Sequence, residues 1–192
     1  MKRNCLMVVL LSFVGIMAVA PSLVAAHGAH AGKSQGTMGA GHFLVADTLD
    51  VEFSFFAFRR ENGSVIGSFH HRTNDGLGVV DFKARVTCVA VDPVQKRAWV
   101  GGVITENNSS SPDYLQDNNK PGHDIWFRVL QGGDEPSDQG RSTFIGFEGA
   151  IASSTDYCAQ RPWPDGNART WPVTEGHILV HGPDGDADND DN

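Results

Sequence analysis

An all-β fold is what the sequence predicts: a single antiparallel β-sandwich or small β-barrel of about seven to eight strands, with one disulfide. Three observations carry this. Apolar and polar residues alternate with period two in several separate runs, as in Asp50-Val51-Glu52-Phe53-Ser54-Phe55. The runs are divided by turn-forming clusters such as Glu61-Asn62-Gly63, Asn74-Asp75-Gly76 and Asp92-Pro93. No long stretch shows the 3.6-residue periodicity of an amphipathic helix.

The chain opens on a segment that reads as a signal peptide, residues 1–26. Lys2 and Arg3 are followed by an almost wholly apolar run over 6–20, and Val24-x-Ala26 supplies the small residues for cleavage before His27. The apolar run is short for a membrane span, no basic cluster follows it, and no later stretch approaches ~20 apolar residues. The mature protein is therefore expected to be secreted or extracellular, with the periplasm as the alternative, and to have no membrane span. Residues 27–42 are mostly Gly, Ala, His and small polar residues and are expected to be a flexible leader. The β domain is expected over 43–181. Residues 182–192, GPDGDADNDDN, form an acidic tail that like-charge repulsion keeps disordered. Removal of 27–41 and 183–192 is accordingly expected to leave the melting temperature nearly unchanged.

Within the domain, residues 50–55 form the first strand, and Phe56-Ala57-Phe58 continues it with room for a bulge. Residues 64–72 return as its hairpin partner. Residues 77–91 form a long half-buried strand with Val80, Phe82, Ala84, Val86 and Cys88 on one face and Asp81, Lys83, Arg85 and Thr87 on the other. Residues 97–105 return after Asp92-Pro93. A polar loop over 106–122 precedes a strand at 124–131, with Ile125, Phe127 and Val129 inward. An acidic loop over 132–140 follows, then strands at 142–147 and 177–180, with a short helix at 150–157.

Charge and cysteine content narrow the partners. The 192 residues carry 15 basic and 23 acidic side chains, a net charge of −8, and −10 once the first 26 residues are removed. That balance argues against nucleic acid or an anionic membrane surface. Cys5 leaves with the signal, so Cys88 and Cys158 remain. An even pair in an exported protein reads as one disulfide, with two separate buried thiols as the alternative. Neither has a neighbouring Cys or His at zinc-site spacing.

Several short motifs occur in a familiar order. They are Val86-Thr87-Cys88-Val89-Ala90-Val91, Ala98-Trp99-Val100-Gly101-Gly102, Asp124-Ile125-Trp126-Phe127-Arg128-Val129, Asp138-Gln139 and Tyr157-Cys158. Over about residues 50–158 the chain resembles a family of uncharacterised secreted bacterial β domains found near choice-of-anchor segments. The resemblance implies an exported bacterial protein and a Cys88–Cys158 bridge, and it implies no activity. Where the family pattern has Asp-x-Gly-Glu, this chain has Gln131-Gly132-Gly133-Asp134-Glu135.

Loops held by a sheet commonly carry function in β scaffolds. The three long ones, 106–122, 131–141 and 159–175, carry Tyr114, the acids Asp134, Glu135 and Asp138, and the pair Trp163 and Trp171. If they share one end of the sheet, acids beside exposed aromatics suit a cation, sugar or peptide better than a phosphate. The expected partner is an extracellular ligand, a glycan or a peptide. Buried tryptophans plugging the end of the fold are the competing reading. Trp99 and Trp126 read as core or sheet-face packing.

Two metal readings arise. A mature N-terminal His27 offers an amine and an imidazole, and His30 adds a further nitrogen, a set that suits copper. That defines the alternative function, a copper-dependent redox enzyme; the same residues also suit weak adventitious metal binding. Asp184-x-Asp186-x-Asp188 resembles the start of a calcium loop without its closing Glu, which allows weak calcium association at most. No other cofactor is expected. No nucleophile elbow, HExxH or phosphate-binding Gly loop occurs. The principal reading is a non-catalytic binding or structural module.

Overall fold

Pairing of the last strand with the first closes the sheet into a barrel rather than a sandwich. The computed structural model describes residues 34–133, 140–143 and 151–183. Its strands are β1 (Gln35–Val45), β2 (Leu49–Arg59), β3 (Val65–Asn74), β4 (Val79–Asp92), β5 (Arg97–Asn107), β6 (Asp124–Leu130), β7 (Arg141–Ser142) and β8 (Trp171–His181). One helix, α1 (Ser154–Gln160), lies between β7 and β8. Each strand pairs antiparallel with the next, and β8 pairs back onto β1.

β2 shows the pattern most clearly. Val51, Phe53, Phe55 and Ala57 are buried inside, while Glu52, Ser54 and Phe56 face out. Its register against β1 and β3 is regular, so the bulge allowed for near Phe56 does not form. Alternation instead places Phe56 on the outer surface, 44% exposed. The interior is aromatic: Phe43, Phe53, Phe55, Phe69 and Phe127 pack with His71 at its centre. Apolar inside and polar outside is the reverse of the arrangement in a membrane-crossing barrel with a polar lumen. Among the described residues no helix is long and apolar enough to cross a membrane.

Part of the expected leader is strand. Residues 35–42, expected to be flexible, belong to β1, which pairs along its length with β2 and also with β8. The glycines that suggest flexibility serve close strand approach. Gly41 has φ +153°, and a Cβ there would lie 1.8 Å from the carbonyl oxygen of Glu175. The domain therefore begins before residue 43. Residues 27–33, and the tail from 184, lie outside the described residues.

β4 departs from simple alternation. Opposite β5 its register slips between Val86, which faces Gly102, and Cys88, which faces Gly101. Thr87 is the extra residue of a bulge, and a bulge reverses which face each later residue occupies. Val80, Phe82, Ala84 and Val86 thus point inward, as do Val89 and Val91. Cys88 and Ala90 point out. Cys88 therefore leaves the face assigned to it from simple alternation and meets α1 outside the barrel.

There it is bonded to Cys158, with Cα atoms 6.2 Å apart and a sequence separation of 70. Together with Ala90, Trp99 and Tyr157 they form a second small core between α1 and the β4–β5–β6 wall. Gly101 permits this contact: a Cβ there would lie 2.6 Å from Cys88 Sγ and 2.7 Å from Ser154 Cβ. The Ser153 hydroxyl caps the helix by accepting the Asp156 N–H at 3.1 Å. Reduction of the bridge, or a Cys88→Ala/Cys158→Ala variant, is expected to cost about 4 kcal/mol by loop-closure entropy. Urea unfolding with and without reductant measures this, and an unchanged midpoint would refute it.

Smaller shifts complete the fold. β7 is only Arg141–Ser142, and 144–150 lie outside the described residues. The helix runs Ser154–Gln160 rather than 150–157, and β8 begins at Trp171, taking residues 171–175 out of the expected loop.

Candidate functional site

In an up-and-down barrel, successive connections leave from alternating ends. The connections after β1, β3, β5 and β7 leave from one end, and those after β2, β4 and β6 from the other. The three long loops therefore do not share one face. The β5–β6 and β7–β8 connections start from one end, and the one carrying Asp134, Glu135 and Asp138 starts from the opposite end. Those three acids, like His27 and His30, lie outside the described residues.

The β5–β6 connection, residues 108–123, builds the most developed surface feature. It contains two 3-10 turns, Pro112–Tyr114 and Asp117–Asn119. Asn107 holds both from beneath, its amide donating to the carbonyls of Tyr114 and Asn119 at 2.8 Å each. Asn108 N–H donates to Asp81 O at 2.9 Å, and Ser110 N–H to Val79 O at 2.8 Å. The Ser111 hydroxyl donates to Asp75, whose carboxyl is held below its ordinary pKa first by that bond. The loop closes where Gly122 N–H donates to Ile104 O at 2.9 Å. The backbone is thus tied to β4 and β5 at both ends and in the middle.

Between this loop and β6 lies a cleft of about 530 Å³. Phe82, Ile104 and Ile125 reach it from the barrel interior. Tyr114 and Trp126 are its aromatic walls. The Tyr114 ring stands edge-on to Phe82 with centroids 5.9 Å apart, and burial raises its hydroxyl pKa. Trp126 stacks on Tyr157 of α1 at 5.8 Å, so one indole face is covered. Oδ1 of Asp124 accepts from the N–H of Ser154 at 3.2 Å and from its hydroxyl. The side chains of Asp113, Gln116, Asn118 and His123 also line the cleft, and none makes a hydrogen bond to another described residue.

Of the site candidates from sequence that lie among the described residues, only Tyr114 lines this cleft. Trp163 packs on the outer wall, edge-on to Trp99 at 5.8 Å, with the Arg97 and Arg128 guanidinium carbons 4.4 and 5.3 Å from its ring centroid. Its indole N–H donates to Asn167 Oδ1 at 2.9 Å. Trp171 packs against the interior core, stacked on Phe43 at 6.3 Å. The two tryptophans therefore belong to different cores, and they are packing residues rather than a stacking pair for a ligand. Trp126, read from sequence as packing, does pack but also walls the cleft. Its position after the amide-rich loop is the signal that could have found it.

Comparison with family models, with curated proteins and with solved structures finds no match. Among the described residues no group of three or more His, Cys, Asp or Glu side chains is placed to hold a metal.

Proposed function

We propose that the protein is a non-catalytic binding module that works outside the cytoplasm, with the barrel as rigid scaffold and the cleft between residues 108–123 and β6 as its site. The observation that carries this is a division of labour within the loop. Its backbone is pinned through Asn107, Asn108, Ser110 and Gly122, while the polar side chains facing the cleft are left uncommitted. A pre-ordered loop with unspent donors and acceptors avoids much of the ordering cost of binding. The Cys88–Cys158 bond and the signal-like N-terminus support action in an oxidising compartment.

The test is residue-resolved NMR on the mature protein with a panel of small polar probes: neutral and charged sugars, amino acids and short peptides. Perturbed amides are expected to concentrate in 113–126. Perturbation confined to the opposite end, or none with any probe, would overturn the site. Asn107→Ala touches no ligand in this reading, yet it removes the two bonds its amide donates to the 3-10 turns and the one it accepts from Ser109 N–H. It is expected to cost about 1–2 kcal/mol of stability and to weaken binding at least tenfold with the fold retained.

A further inference from the structure

The chemistry of the cleft narrows its ligand class, an inference that rests on the binding reading above. We infer that the cleft takes an uncharged saccharide. Among the described residues no Lys or Arg lines it, and Lys120 of the same loop is held by Asp117 at 2.6 Å. Asp113 and Asp124 place negative charge at the site, on a chain of net charge −8. A phosphate, sulfate or uronate would meet repulsion with no cation to offset it. A bound metal ion is also a poor match. Among the described residues no group of three or more His, Cys, Asp or Glu side chains is placed to hold one, and Oδ1 of Asp124 already accepts two hydrogen bonds from Ser154.

What remains is a set of groups that each donate and accept. The amides of Gln116 and Asn118 do both, and the two ring nitrogens of His123 add further hydrogen-bonding positions. Vicinal hydroxyls of a sugar have the same dual character, so each can be answered twice. The C–H face of a sugar ring is apolar and suits an aromatic wall, which Trp126 and Tyr114 supply. The volume, about 530 Å³, falls within the range of small-ligand sites and leaves room for a short saccharide.

The experiment uses the mature protein on an array of neutral, sulfated and uronate-bearing glycans with a peptide library beside it. Hits are titrated by NMR at millimolar concentration. Neutral glycans are expected to bind and to perturb 113–126, with affinity reduced at least tenfold in Gln116→Ala/Asn118→Ala. Both positions are exposed, so the fold should be kept. Trp126→Phe, which preserves an aromatic against Tyr157, is expected to weaken binding less than that pair. Binding only of anionic glycans or of peptides in the cleft would overturn the uncharged-saccharide assignment and leave the site standing. Neutral glycans that bind equally well to the double variant would overturn it too. No cleft perturbation by any probe would remove the site itself.

Discussion

A chain lacking residues 35–42 is expected not to fold cooperatively. Residues 36–42 of β1 pair with β2 on one side and β8 on the other. Thr37, fully buried, also donates its hydroxyl to Leu179 O at 2.7 Å. Removing the segment opens the barrel between β2 and β8 and leaves two long unpaired edges. With about 1 kcal/mol net for each lost hydrogen bond, the loss reaches the ~5–15 kcal/mol that a whole domain has available. Circular dichroism and thermal melting of the deletion variant decide the matter, and a melting temperature within a few degrees of wild type would refute it. Gly41→Val is the milder form of the same test. Its new side chain collides with the β8 backbone at Glu175, so a lowered melting temperature is expected without complete unfolding.

The second large effect is acid sensitivity centred on His71. Its ring is 1% exposed and ringed by Phe43, Phe53, Phe69 and Phe127, with centroid distances from 5.1 to 6.4 Å. Neither ring nitrogen has a hydrogen-bond partner. Burial first, and the neighbouring His70 second, lower its pKa from 6.5 to about 3. The sign follows from proton counting. Above pH 6.5 the ring is neutral in both folded and unfolded chains and the proton has no effect. Between 6.5 and 3 the unfolded chain binds a proton that the barrel refuses, so stability falls as the pH falls. At ~1.4 kcal/mol for each tenfold difference in proton affinity, the loss below both values approaches about 5 kcal/mol. His71→Leu is expected to flatten this part of the stability profile. It should also gain about 1–3 kcal/mol at neutral pH by removing two buried unpartnered nitrogens. Urea midpoints from pH 7 to pH 3 test it, and parallel profiles for wild type and variant would sink the assignment.

Much of the fold was legible because strand alternation and turn chemistry are local. The Asn62-Gly63 hairpin, the inward Val51, Phe53 and Phe55, and the inward Ile125, Phe127 and Val129 all follow from period-two burial and from residues that favour turns. The cysteine pair was legible for a similar reason: once Cys5 is set aside, counting leaves one partner for Cys88. The 106–122 loop and Tyr114 stood out because a polar, amide-rich stretch cannot continue a half-buried strand.

What the tertiary structure alone decided is closure, facing and which end each loop occupies. Whether the sheet closes depends on β8 meeting β1, a contact between residues more than 130 apart in sequence, as in Thr37 donating to Leu179 O. No local pattern encodes such a contact. The Gly-rich stretch reads as flexible by composition, yet its glycines are there because β8 passes too close for a side chain at Gly41. One bulged residue, Thr87, reverses the faces of everything after it in β4. It thereby moves Cys88 from the interior to the outer wall, a choice set by pairing with β5. Antiparallel order also starts alternate connections from opposite ends, which separates Tyr114 from the start of the β6–β7 connection. In the same way it sorts Trp163 and Trp171 into different cores and leaves Trp126 to wall the cleft. Local chemistry thus sets which segments become strands and turns. Long-range pairing sets which side chains meet, because facing and end depend on register and strand order that no short window of sequence contains.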